Sequence, residues 1–391
     1  MQPKHVCLPS AAFCGKIESF FGQGRCFLLA KGRVGLYAGL KAMNLPKASE
    51  VLMPGYTCMV VPSAVQFAGL KPIYADIDPA TYNLDVRQVE AASAQDVSAL
   101  IVQHTYGIPC NMTPLGQWAA SRGVPVIEDG CHCFGSKVGG RLCGTFGAFA
   151  FMSGQWNKPF TTGLGGMLLV NDSALAERVA QIIDTEALVP GTLKNFVLFA
   201  QILAHKLLVR PSTAIAVMWL YRALNRLGLA VGSSSQEELS GKMPKRYLAT
   251  MAACQVRQGL REMAEIEANI RHRVRLTAFY QAELPRFGFA PLPASVVEGL
   301  PLLRYPVRVD NKEQVLSNAG RSRVEIGSWF EVPLHPKGTR MEAFGYRQGM
   351  CPEAEAASRE VVNLPTHQKV SMAIAERTLD FLRKQARPKS C

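Results

Sequence analysis

Short apolar runs alternate with helix-period patterns through the first half of the chain. The runs predict strands at 50–56 (EVLMPGY, ending in a turn), 71–77 (KPIYADI), 99–107 (ALIVQHTYG), 125–129 (PVIED), 147–154 (GAFAFMSG) and 165–172 (GGMLLVND). Helical patterns fall between them at 32–45 (GRVGLYAGLKAMNL), 60–70 (VVPSAVQFAGL) and 115–123 (LGQWAASRG). Strands alternating with helices mean βαβ units and a mostly parallel sheet. From about 241 the texture changes. One long amphipathic helix is predicted over 249–284, then short strands such as LLRYPVRV (302–309) and a closing helix at 371–385. The expectation is an α/β fold: a large domain over 1–186, an insertion over 187–240, and a smaller α+β domain over 241–391.

The insertion has its own pattern. Residues 187–236 contain no Asp or Glu, but hold Lys194, Lys206, Arg210, Arg222 and Arg226. Two apolar segments, NFVLFAQILAHKLLV and AIAVMWLYRALNRLGLA, flank Pro211. In the second, Arg222, Asn225 and Arg226 share one helical face, with Trp219, Leu220 and Leu227 elsewhere. A basic amphipathic helix can lie in a membrane interface. The same pattern also suits a hairpin packed on the core or on a dimer partner, and both readings stay open.

Composition narrows the class. Over 391 residues, 48% are hydrophobic and 19% charged, which is globular and long enough for two domains. No run of eighteen or more apolar residues predicts a membrane-spanning helix. The N-terminal stretch lacks the apolar core of a secretory signal. Eleven cysteines without a framework read as reduced thiols in a cytoplasmic protein. A net charge of +13 favours anionic ligands, but no basic block or nucleic-acid motif is present, so no nucleic acid is expected. Cys131, His132, Cys133 and Cys143 lack zinc-ligand spacing, so no metal is expected either.

Candidate chemistry centres on FMSGQWNKPFTTGLGG (151–166), where Lys158 stands beside a glycine-rich turn. The chain has no GxxxxGK[ST] phosphate loop. A Schiff-base lysine needs partial desolvation and room for a flat cofactor. Pyridoxal phosphate (PLP) also needs a carboxylate to keep its ring nitrogen protonated, and donors for its phosphate. Asp129, ending an apolar strand, suits the first duty, because ligands of open α/β sheets sit at the carboxyl ends of strands. Gly32 at a helix start, followed by Arg33 and Val34, suits the second, and Ser153 adds a hydroxyl. Each of these residue types is more often structural when met alone; here order and spacing combine them.

The same phrases carry a resemblance. EVLMPGYTCMVVPSAVQFAGLKPIYADIDPATYNLD, VQHTYGIPCNM, VPVIEDGCHCFGSKVGGRLCGTFGAFAFMSGQWNKPFTTGLGGMLLVND, VEIGSWFEVPLHP and VVNLPTHQKVS look like the DegT/StrS family of PLP-dependent sugar aminotransferases, of fold type I. The likeness runs from about residue 25 to the end, interrupted at 187–236. It implies that Lys158 carries the cofactor, that Asp129 pairs with its ring nitrogen, and that Ser153 and the Gly32–Val34 turn hold its phosphate. It implies a homodimer acting on a keto sugar, with an amino acid as donor.

Several positions depart from that family's pattern. His132 stands where the family has Gln, and still offers a hydrogen bond to the ring hydroxyl. Arg33 replaces a Thr and can grip phosphate through charge. Cys58 replaces the aromatic residue over the ring, leaving Tyr56 or another group for that task. Leu164 replaces a Glu. A neighbour-subunit Asn falls near Pro244, among Lys242, Lys245 and Arg246, which makes Lys245 a candidate phosphate contact. His104, Tyr106 and His335 are candidate substrate contacts, with structural roles open for each; Trp329 reads as small-domain core. The expected activity is transfer of an amino group, from glutamate, onto a nucleotide-linked keto sugar. The alternatives are another PLP-dependent sugar reaction such as dehydration, or a regulator that binds PLP without turnover.

Overall fold

The computed structural model describes residues 8–93, 97–156, 158–208, 217, 220–221, 223–225 and 230–389. Seven strands form the central sheet: β1 (Arg25–Leu29), β2 (Glu50–Pro54), β4 (Lys71–Ala75), β5 (Val97–Gln103), β6 (Val126–Asp129), β9 (Phe149–Ser153) and β10 (Gly166–Val170). Their order is β1-β10-β9-β6-β5-β2-β4. The pairings from β9 through β6, β5 and β2 to β4 are parallel, while β10 runs antiparallel to both β9 and β1. β5, β9 and β10 read as near-continuous apolar runs because central strands buried on both faces have no polar side to show.

Helices α1 (Leu8–Phe21), α2 (Gly32–Met43), α3 (Val60–Phe67), α4 (Val86–Ala92), α5 (Met112–Ser121) and α6 (Ser173–Glu186) cover the sheet. Asp85 and Asp172 cap α4 and α6 through backbone N–H groups one turn in. β1 and α1 carry no prediction from the sequence. Phe13, Ile17 and Phe21 of α1 fill a core of their own with Phe134 and Phe160.

The C-terminal part joins β11 (Arg304–Arg308) to β13 (Val361–Pro365) in an antiparallel pair, beside helices Lys312–Ser322 and Met372–Gln385. The long helix predicted over 249–284 is two helices, Ala253–Ala264 and Ile266–Glu283. The break falls at Glu265, whose backbone leaves the helical region (φ −104°, ψ 3°). Its N–H still bonds the Glu262 carbonyl, so the interruption leaves that donor satisfied. Two-residue strands β3 (Thr57–Cys58) and β12 (Leu334–His335) pair in parallel and set His335 beside Cys58. Among the described residues, no helix is long and apolar enough to cross a membrane.

The basic, apolar stretch from residue 187 carries α7 (Thr192–Leu208). Its inner face packs Leu198 and Ile202 against Trp156, Leu164 and Cys254. Its outer face leaves Leu193, Phe196, Phe199, Leu203 and Leu207 between 44% and 76% exposed. Arg210, Pro211, Trp219, Arg222, Arg226 and Leu227 lie outside the described residues.

Candidate active site

Strands β5, β6 and β9 end side by side, with Gln103 opposite Asp129 and Asp129 opposite Phe151. At these ends a cavity of about 250 Å³ is lined by Gly32, Arg33, Cys58, Asp129, His132, Ser153, Lys158 and His335, among others. Eight of the residues singled out from the sequence therefore meet in one place, although they come from as far apart as residues 32 and 335. The glycines of the 163–166 turn permit this approach. A Cβ on Gly166 would stand 2.1 Å from the Lys31 carbonyl carbon, so only Gly lets β10 pass the start of α2.

The polar groups are tuned by burial. Desolvation lowers the Lys158 pKa, while Cys131 and Asp129 oppose that shift, so the neutral amine is favoured relative to a solvated lysine. Lys158 Nζ stands 4.6 Å from the centroid of the Trp329 ring. Asp129 accepts a hydrogen bond from the Cys131 N–H at 2.9 Å. Burial raises its pKa, and Lys158 pulls the other way. A cationic ring nitrogen against this carboxylate would supply the counter-charge that burial removed.

His132 is held neutral by desolvation and by Lys158, Arg304 and His335. Its Nδ1 accepts the Tyr106 N–H at 3.2 Å, which puts the ring proton on Nε2. Its ring stacks on Trp329 with centroids 5.3 Å apart. His335, pushed down to about 4 by burial, is neutral as well.

The first helical residues of α2 carry an ionic cluster. Arg33 Nη2 donates to Glu238 Oε2 at 3.0 Å and also to the Ser233 carbonyl. Arg33 Nε lies 2.6 Å from Glu238 Oε1, an ionic contact without hydrogen-bond alignment. Lys31 Nζ lies 3.8 Å from Glu238 Oε2. Burial, helped by Arg33, brings the Lys31 pKa down to about 7.

Several expectations need correction. His104 is fully buried off the cavity, its Nε2 against Glu128 at 3.1 Å and its Nδ1 accepting the Cys110 N–H. Glu128 accepts three further backbone N–H groups, from Gly144, Phe146 and Gly147, so this pair organises the 144–147 turn. Tyr106 is also buried, its hydroxyl bonded to Tyr56 and to the Trp329 carbonyl. The same bond removes Tyr56 as a ring cover. Val34 does not line the cavity, and its N–H goes to the Lys31 carbonyl. Lys245 is exposed and lines no part of its own chain's cavity. Trp329, expected in the small-domain core, faces the cavity with Phe330.

Lys31, Trp329, Phe330, Ser233, Ser234 and Glu238 were not selected from the sequence. A signal existed for one of them: Ser-Gln-Glu-Glu at 235–238 is a capping box, and both of its bonds form. The sequence also set metal aside, yet ligand-capable atoms of His104, Cys133 and Cys143 lie within 4.8 Å of one another. Both His104 nitrogens are already engaged there, as described above.

A buried lysine, a strand-end carboxylate and a helix-start cationic turn around one cavity fit PLP, and the α/β frame is that of the PLP-dependent aminotransferases of fold type I. The profile of the DegT/DnrJ/EryC1/StrS aminotransferase family matches residues 9–196 and 217–383, and the chain belongs to that family. A GDP-perosamine synthase of Escherichia coli O157:H7 is 36% identical over 150 residues, 38% of this chain and 41% of that protein. A UDP-2-acetamido-2-deoxy-3-oxo-D-glucuronate aminotransferase of Pseudomonas aeruginosa is 25% identical over 359 residues, 92% of this chain and 85% of that protein. The structure of a DegT DnrJ EryC1 StrS aminotransferase from Brucella abortus superposes with a TM-score of 0.74 at 19% identity, covering 97% of this chain and 90% of the other. A Bacillus subtilis protein solved with bound cofactor PMP reaches 0.73 at 18% identity, over 97% and 78% of the two chains. The protein is an aminotransferase and its cofactor is PLP.

Proposed function

We propose that this aminotransferase moves an amino group from glutamate onto a nucleotide-linked keto sugar, as a cytoplasmic homodimer. The observation that carries the reading is the convergence of Lys158, Asp129 and His132 on one cavity at the sheet's carboxyl edge. The names of the Escherichia coli and Pseudomonas aeruginosa relatives support a nucleotide sugar.

PLP, when bound, supplies the electron sink for the pair left as a proton departs. Asp129 would hold the ring nitrogen's proton, and His132 Nε2–H would donate to the ring hydroxyl. Arg33 and Ser153 would hold the phosphate. Lys158 Nζ would be the base that takes the donor's α-proton and returns it at the far end of a 1,3-transfer. Trp329 and Phe330 wall the cavity and exclude water. The reading of the donor as an amino acid has its own support. Arg304 Nε is buried without a hydrogen-bond partner, and Arg304 Cζ stands 4.9 Å from the same Trp329 ring that faces Lys158. A Cβ on Gly327 would fall 2.4 Å from Arg304 Nη1, so the glycine clears space for the guanidinium. A carboxylate is the matching ligand for such a group.

The partner subunit would place Lys242, Lys245 and Arg246 near this site. The outer face of α7, in the stretch 187–236 that is free of acidic residues, would lie on an anionic membrane surface. The test of the activity is a panel of nucleotide-linked keto sugars with amino-acid donors, read by mass spectrometry. Amination of such a sugar with matching loss of the donor amine is expected. Conversion of donor and PLP alone, with no sugar aminated across the panel, would contradict the reading; loss of water from a sugar would point to dehydration.

A further inference from the structure

Lys31 and Arg33 line the cofactor cavity, and Glu238, just behind them, already offsets part of their positive charge without any ligand. Glu238 is 2% exposed and takes contacts from both cations. It also accepts the Ser235 N–H at 2.9 Å, closing the capping box at the end of the insertion. Lys31, Gly32, Arg33, Ser233 and Ser234 all line the cavity that holds Lys158. A phosphate bound here carries close to two negative charges. Protonated Lys31 and Arg33 carry two positive charges. With Glu238 still in place, the buried set would be one negative charge in excess, and an uncompensated buried charge is strongly disfavoured.

We propose that Glu238 is a stand-in for phosphate: it offsets part of the charge of Lys31 and Arg33 when the site is unloaded, and the cofactor's phosphate displaces it. Lys31 is then a second phosphate-binding cation beside Arg33. Displacement breaks the Ser235–Glu238 box, so loading loosens the 233–240 segment that tethers the insertion to α2. Arg33 Nε, buried without an aligned acceptor, is a donor that Glu238 leaves unused and phosphate can take. The inference rests on the reading of this cavity as the PLP site, and its test separates the two.

The experiment compares full-length wild-type and Glu238→Gln apoprotein. PLP and pyridoxal, which lacks the phosphate, are titrated by absorbance, and hydrogen exchange is followed across 233–240. Gln preserves the capping box in shape but carries no charge. Glu238→Gln is expected to bind PLP about tenfold more tightly, the effect of one neighbouring charge, and pyridoxal with unchanged affinity. In the wild type, PLP is expected to speed exchange in 233–240, and pyridoxal is not. Equal or weaker PLP binding by Glu238→Gln, or slower exchange in 233–240 on PLP addition, overturns the proposal. The wild-type exchange arm stands even where the variant fails to fold. Failure of the wild type to bind PLP at all would instead overturn the site assignment.

Discussion

The Lys158 cavity and the outer face of α7 sit on opposite sides of one packing layer, and their chemistry is inverted. In the cavity, polar groups are buried and nearly every one has a partner: Asp129 with Cys131, His132 with Tyr106, Arg33 with Glu238. On α7, apolar groups are exposed, with Leu193 at 76% and Phe196 at 65%. Buried polar groups persist only where bonding compensates their desolvation, and a contiguous exposed apolar face marks a surface made to be covered. The first region is therefore a site for a small charged ligand and the second a site for contact. The helix between them, packing Ile202 near Trp156 and stacking His205 on that ring at 4.3 Å, ties one to the other.

Lys158→Ala is expected to abolish turnover in a steady-state assay while near-native circular dichroism is kept; residual turnover close to the wild-type level would remove Lys158 from the chemistry. Asp129→Asn keeps the shape and deletes the charge. A fall in kcat of about 10²-fold or more is expected, the scale of removing one preorganised charge partner, and near-normal kcat would refute the pairing.

Arg304→Lys probes the reading of the donor as a carboxylate-bearing amino acid. KM for glutamate is expected to rise by about tenfold, because Lys lacks the planar fork that matches a carboxylate, with KM for the sugar little changed. An equal rise in both constants would assign Arg304 to packing.

The pH response sharpens the Lys31 assignment. Its pKa lies at about 7 in the fold, below the usual lysine value, so the cation is present below that pH and lost above it. Sulfate remains a dianion throughout this range. Sulfate binding to the apoprotein is therefore expected to weaken as pH rises from 6 to 8, and Lys31→Met is expected to flatten the profile. A wild-type profile that is already flat would take Lys31 out of the anion site. The smallest effect on catalysis belongs to α7. Replacing Leu193, Phe196 and Leu203 by Ser is expected to abolish flotation with anionic vesicles while leaving turnover of soluble substrates unchanged. Flotation that persists in the variant, or is absent from the wild type at low salt, would leave the face to a protein partner.

The sequence disclosed these two regions unequally. Strands β2, β4, β5, β6, β9 and β10 were visible because each is a short apolar run between turn residues. Asp129 and Lys158 stood out for their places at and beside strand ends. β1 was overlooked, since Arg25–Leu29 is five residues beside a helical pattern. The break at Glu265 has no proline or glycine to announce it, and the amphipathic period continues through it. Residue type misled at His104 and Tyr106, which look like pocket groups but spend their hydrogen bonds inside the fold. The reverse held for Trp329 and Glu238. Trp329 reaches the cavity and Glu238 reaches the cations that line it through contacts distant in sequence, and long-range pairing of that kind leaves no local pattern.

Every role proposed for the cavity depends on Lys158 holding the cofactor in a working aminotransferase site. Borohydride reduction of the PLP-loaded protein, followed by peptide mapping, tests it most directly. The pyridoxyl mass is expected on Lys158 and to be absent when the protein is first incubated with a competent amino donor. Label on Lys31 or any other lysine, or label on Lys158 that no amino donor removes, would contradict it.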